Sequence, residues 1–131
     1  MDEKLKKVEK NMCPVDYAFK RIGGKYKARI LWCLDYFSVC RYGELRKLLS
    51  DISPKMLTQT LRELESDNLL ARKVYHQVPP KVEYSLTEKG KEFIPFVEYL
   101  RKWGEKELGY EETNPTEFVE NYGKETEGKR E

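Results

Sequence analysis

Apolar residues recur at helical spacing over four stretches of the chain, give way to a run of β-formers and then a short alternating stretch, and return to helical spacing in the last. From Cys13-Pro14, Val15, Ala18, Phe19 and Ile22 follow the i, i+3, i+4, i+7 pattern of one helix face. Pro14 suits a first turn, and Gly23-Gly24 ends the element. A second predicted helix runs from about Tyr26 to Phe37 with Ile30, Leu31, Cys33, Leu34 and Phe37 turned inward. A third runs from about Tyr42 to Leu49 with Leu45, Leu48 and Leu49 inward. At Ser53-Pro54 the signals sharpen, because Ser is a preferred N-cap and Pro is preorganised for the first helical position. Leu57, Leu61 and Leu64 then repeat at i, i+4, i+7 to about Asp67.

Beyond Asn68, a residue that tolerates the left-handed conformation, the period changes. Leu70 to Val78 is rich in β-formers, and Val82, Tyr84 and Leu86 alternate with Glu83 and Ser85. Pro79-Pro80-Lys81 separates these strands, and prolines that cannot donate to a ladder predict an exposed loop at the tip. Thr87 can cap a final helix from about Glu88 to Leu108, in which Pro95 is expected to kink or weaken the early turns. Phe93, Ile94, Phe96, Val97, Leu100 and Trp103 give that helix more apolar surface than a small core absorbs. Phe93, Phe96, Val97, Leu100 and Trp103 are therefore the candidate contacts of a twofold dimer.

Composition narrows the class. A chain of 131 residues fits one domain, and 39% hydrophobic residues suffice for a core although the charged fraction, 37%, exceeds the usual value of about 25%. The longest apolar runs are a few residues, far short of the roughly 20 that span a bilayer. No signal-peptide pattern opens the chain at Met1-Asp2-Glu3-Lys4, so a soluble, cytoplasmic protein with no membrane partner is expected. Residues 1–12, dominated by Lys and Glu, read as an N-terminal charged arm, residues 13–109 as the domain, and residues 110–131 as a flexible acidic tail. From Glu111 onward seven acids face three bases, −4 in all, so the net +2 of the chain leaves +6 on residues 1–110. A basic body permits a polyanionic partner, and the placement of its charges decides.

The order of four helices, a strand, a loop, a strand and a helix, with a four-residue junction Ser50–Ser53 between the third and fourth helices, predicts a mainly helical α+β fold. This is a winged helix-turn-helix with a C-terminal dimerisation helix. In that fold the helix after the junction packs one face on the domain and offers the other to the major groove. With the leucines inward, Lys55, Thr58, Gln59 and Arg62 fall outside, and carboxylates appear only from Glu63. Arg and Lys suit guanine, Gln suits adenine and a Thr methyl can touch thymine, while the helix N-terminus at Ser53 can donate to phosphate. Arg41 before the third helix, and Arg72, Lys73, His76 and Lys81 on the hairpin, are candidates for flanking phosphates or the neighbouring minor groove. The partner so predicted is double-stranded DNA. The alternative is a winged helix retained as a protein-interaction module, whose basic face meets an acidic protein.

Seven separated motifs strengthen the first reading. Cys13-Pro14-Val15, Ile22-Gly23-Gly24-Lys25-Tyr26, Arg41-Tyr42-Gly43-Glu44-Leu45, Ile52-Ser53-Pro54-Lys55-Met56-Leu57-Thr58, Leu61-Arg62-Glu63-Leu64-Glu65, the run Val78 to Thr87, and Trp103-Gly104 occur in order. Over roughly Cys13 to Leu108 the chain strongly resembles the HxlR family of bacterial and archaeal transcriptional regulators. Tyr26 stands where the family usually has Trp, and Tyr42 where Phe is common. The resemblance implies a dimeric winged-helix DNA-binding protein related to the MarR group, and the function expected from the sequence as a whole is a homodimeric repressor on a palindromic operator. The resemblance also implies dimer contacts from the first and last helices and, in some members, a response to oxidants or electrophiles through the N-terminal cysteine.

Cys13 is the candidate redox sensor, since a thiol at a helix start lies near the positive end of the dipole, and Lys6, Lys7 and Lys10 are close in sequence. Cys33 reads as core and Cys40 as structural. Three cysteines without a CxxC pair argue against a disulfide framework and a thiolate metal site, and no cofactor is implied. Catalysis finds no constellation: His76 is the one histidine. Gly23-Gly24-Lys25 fails as a phosphate loop because Phe19 and Tyr26 occupy its first Gly and its Ser/Thr positions. No enzyme is expected, and neither the operator nor an inducer can be read from the sequence.

Overall fold

The computed structural model describes residues 11–118. Helix α1 (Pro14–Ile22) starts on Pro14 and buries only Ile22. Helix α2 (Lys27–Phe37) places Ile30, Leu31, Cys33 and Leu34 at the centre of the core. Phe37, expected inward, is 36% exposed because the helix stops there, at Ser38 with φ 68°. Strand β1 (Val39–Arg41) follows and leads into α3 (Tyr42–Leu48), where the Arg41 N–H donates to Glu44 Oε1 at 3.0 Å.

After α3 the chain turns through Leu49 and Ile52, both buried, into α4 (Pro54–Ser66). Ser53 caps α4 as expected, its Oγ accepting the Met56 N–H at 3.1 Å. Leu57, Thr60, Leu61 and Leu64 form the buried face of α4, and the Thr60 hydroxyl is satisfied by the Met56 carbonyl at 2.7 Å. Asn68 takes the left-handed conformation, φ 60°, between α4 and β2 (Leu70–Tyr75). Strand β3 (Lys81–Leu86) pairs antiparallel with both β2 and β1, giving the order β1-β3-β2. The predicted first hairpin strand ends at Tyr75 rather than Val78, and residues 76–80 form the exposed tip.

The predicted last helix is two helices. Thr87 caps a short α5 (Glu88–Lys91), and α6 (Ile94–Leu108) restarts with Pro95 in its first turn. The expected weakening near Pro95 thus takes the form of a break at Glu92–Phe93. Of the six apolar side chains singled out on this helix, Val97 alone is fully buried, while Phe93 and Ile94 are partly buried against the core. Phe96, Leu100 and Trp103 are 37%, 43% and 59% exposed. Past Gly109, residues 110–118 fold back on α2. There Phe118 lies 5.9 Å from the Trp32 ring, and Thr113 donates to Glu105 Oε2 from its N–H at 2.7 Å and its hydroxyl at 2.6 Å. Residues 1–10 of the arm and 119–131 of the tail lie outside the described residues. Among the described residues no helix is long and apolar enough to cross a membrane.

Candidate nucleic-acid interface

Lys55, Gln59 and Arg62 are exposed on the side of α4 roughly opposite Leu57, Leu61 and Leu64, as about 100° per residue requires. Among the described residues, no hydrogen bond or ion pair holds Lys55 or Arg62. Gln59 Nε2 donates weakly to Glu63 Oε1 at 3.3 Å. Thr58 is less available than its position suggested: it is partly buried, and its hydroxyl shares a hydrogen bond with the Tyr42 hydroxyl at 3.0 Å.

The carboxylates in the second half of α4 have intramolecular cations beside them. Glu63 pairs with Lys27 at 3.2 Å, and its carboxyl is held below the usual range by Gln59 and then Lys27. Glu65 lies 3.7 Å from Arg72. The anions nearest the outer face are thereby partly neutralised, which limits the repulsion a phosphate would meet, while Arg72 is committed to the protein rather than free for a ligand.

Tyr42 lies beside both α4 and the hairpin. It touches Thr58 on one side and, with Arg41, Lys47, Gln77 and Lys81, lines a cleft of about 480 Å³ between α3 and the hairpin tip on the other. Arg41 is exposed there, opposite Glu83 in the β1–β3 register. Lys81 is drawn inward: its Nζ is 2.8 Å from Glu83 Oε1 and 4.7 Å from the centre of the Tyr75 ring. Lys81 holds the Glu83 carboxyl below its ordinary value. Lys73 is exposed, with its Nζ 4.8 Å from the same ring, and His76 stands exposed at the tip. Lys47 and Tyr75 were not singled out from the sequence. Lys47 is a surface lysine like many others until α3 is set against the hairpin, and Tyr75 reads only as a β-former until the register brings Lys73 and Lys81 to its ring.

Cys13 is exposed at the N-terminal boundary of α1; Lys6, Lys7 and Lys10 lie outside the described residues. Burial pushes the Cys33 thiol up to about 12, with Cys40 adding to the effect, and pushes the Cys40 thiol up to about 11, with Glu44 adding. Both core thiols are therefore protonated and poorly nucleophilic near neutrality. On the far side of the domain, Val15, Phe19, Phe96, Tyr99, Leu100 and Trp103 form an exposed apolar face, Phe19 meeting Phe96 edge to face at 6.3 Å. Val97, predicted as a dimer contact, does not belong to it. The 3.6-residue period turns Val97 toward α2, where the domain's own core covers it.

The model of the HxlR-like helix-turn-helix family matches residues 21–112. The chain belongs to that family. It is 48% identical over 96 residues to an uncharacterized HTH-type transcriptional regulator, YybR, of Bacillus subtilis, a match that covers 73% of this chain and 76% of that protein. An uncharacterized HTH-type transcriptional regulator of Methanothermobacter thermautotrophicus is 44% identical over 103 residues, covering 79% and 78%. Among solved structures, the oxidized form of the redox regulator HypR superposes with a TM-score of 0.69 at 46% identity, over 72% of this chain and 96% of that one. Diamide-treated YodB from B. subtilis superposes with a TM-score of 0.61 at 32% identity, over 73% and 95%. The winged helix-turn-helix is thus the fold of a known group of regulators, and this HxlR-like protein is a DNA-binding transcriptional regulator.

Proposed function

We propose that the protein is a repressor that binds a palindromic operator as a homodimer. Each α4 would enter one of two major grooves about 34 Å apart. The observation that carries this reading is the outer face of α4, where Lys55, Gln59 and Arg62 stand exposed on a helix whose other side is locked into the core. Lys55, Gln59 and Arg62 read bases. Thr58, tied to Tyr42, contributes at the edge of the contact, and Ser53 serves through the helix N-terminus that it caps. Arg41, Lys73 and His76 hold phosphates or the adjacent minor groove. Lys81 has a lesser share there, because Glu83 already neutralises it.

Phe96, Leu100 and Trp103 supply the dimer contact with Phe19, and Phe93 supports them from the partly buried side of the face. Selection from a random duplex library tests the reading as a whole. The enriched sequence is expected to contain two inverted half-sites with centres about 10 bp, or a multiple of it, apart. Enrichment of single, unpaired half-sites, or of no sequence, contradicts it.

Exposure of Cys13, next to the structural likeness to a redox regulator, favours a second layer in which oxidation of this thiol alters operator binding. Diamide is expected to change the affinity of the wild type for the selected site and to leave Cys13→Ser unchanged. Equal responses in both proteins remove the proposal.

A further inference from the structure

Separate from the DNA-facing side, the domain holds an apolar cleft of about 290 Å³ between α2, α6 and residues 110–118. Its walls include Ala28 and Trp32 from α2, Leu100 and Leu108 from α6, and Tyr110 and Phe118 from the returning segment. We propose that this cleft is a binding site for a small, uncharged, largely aromatic molecule. The inference does not depend on the DNA-binding reading.

Three observations select that occupant. The first is Gly104, which lines the cleft from within α6, where glycine is a poorer helix former than alanine. A Cβ built at Gly104 meets nothing within 4 Å, so packing inside the domain does not require glycine there. What the glycine provides is open space on the wall of the cleft.

The second is the state of the polar groups around it, whose charges are already engaged within the protein. Arg101 is held by Glu98 and Glu105, each at 2.6 Å, Glu105 also accepts both Thr113 donors, and Arg29 grips Asp51 with bonds of 2.6 and 3.1 Å. An ionic ligand would find no spare counter-charge among them. A peptide would bring backbone N–H and C=O groups to apolar walls that cannot satisfy them.

The third is direction and size. Leu100 belongs both to the exposed face and to the cleft wall, while Gly104 and Leu108 lie about 80° and 120° around α6 from Phe96, beyond that shared border and on the side turned away from Tyr99 and Trp103. The volume, roughly ten times the ~30 Å³ that one water molecule takes up in the liquid, suits a molecule of one or two aromatic rings. The Trp32 and Phe118 rings, 5.9 Å apart, offer it aromatic surface.

Isothermal titration of the full-length protein with 1-naphthol, and with 1-naphthoate as its anionic counterpart, tests the site. Saturable binding of one 1-naphthol per chain is expected, with 1-naphthoate weaker by about tenfold or more. Gly104→Leu, whose side chain enters the open space, is expected to weaken 1-naphthol by at least a similar factor. Ala28→Leu, filling from the opposite wall, does the same if the first variant does not fold. Three results overturn the proposal: no saturable binding by the wild type, equal affinity for the two compounds, or undiminished 1-naphthol binding in a variant whose circular dichroism is native.

Discussion

Arg29 and Asp51 show how a single pair fixes the helix-turn-helix. The two hydrogen bonds join α2 to the turn before α4. Burial works against the charge on Asp51, but the hydrogen bonds and charge of Arg29 outweigh it and hold the carboxyl below its ordinary value. With the folded value depressed, the stabilisation is complete above the unfolded pKa of about 3.9 and is lost as pH falls through the folded value. Asp51→Asn is therefore expected to lower the urea-unfolding free energy by about 1 to 3 kcal/mol at neutral pH. The gap to wild type should shrink below about pH 3. A gap that stays constant with pH would show that the charge of Asp51 does not anchor the turn. Residue-level chemistry was legible where it depends on local spacing, as for the Ser53 cap and the outward Lys55 and Arg62. It was not legible where a partner distant in sequence captures the group, as when Tyr42 takes the Thr58 hydroxyl; the pairing of Lys81 with Glu83, two residues on along the same strand, was within reach of the period-2 pattern but was not drawn from it.

Elements followed the apolar period wherever it ran for several turns, and this is why α1 to α4 and the hairpin could be placed from sequence. Strand β1 escaped because three residues carry no period, and its existence depends on pairing with β3, more than forty positions along the chain. The apolar surplus on α6 was legible from its content, but content alone did not tell Val97, which the domain's own core covers, from Phe96, Leu100 and Trp103, which it leaves exposed. Nor did the acidic composition after Gly109 signal the return of residues 110–118, which rests on Thr113 and Phe118. Where two elements meet closely, a glycine becomes obligatory. In α5, Gly90 is packed against the Leu69 backbone, and an added Cβ would collide with the Leu69 carbonyl. Gly90→Ala is expected to destabilise the fold by about 1 to 3 kcal/mol, seen as a lower urea midpoint at unchanged slope. Stability equal to wild type would mean that α5 and Leu69 separate without cost.

At the scale of the molecule, the two specialised surfaces divide the work. One side carries the cations of α4, α3 and the hairpin tip, and in the proposed dimer the exposed apolar side chains of α1 and α6 would supply the contact with a second copy. The protein's basic body, +6 over residues 1–110, adds a sequence-independent attraction to DNA. On the proposed reading, specificity resides in the few side chains that α4 sets outward. The most direct measurement is an anisotropy titration of wild type and the triple variant Lys55→Ala, Gln59→Ala, Arg62→Ala on the selected operator and on a scrambled duplex. At about 1 to 3 kcal/mol per base contact, the variant is expected to lose roughly a hundredfold or more on the operator, falling to its affinity for the scrambled duplex while keeping native helicity. A triple variant that still prefers the operator as strongly as wild type does would contradict the account.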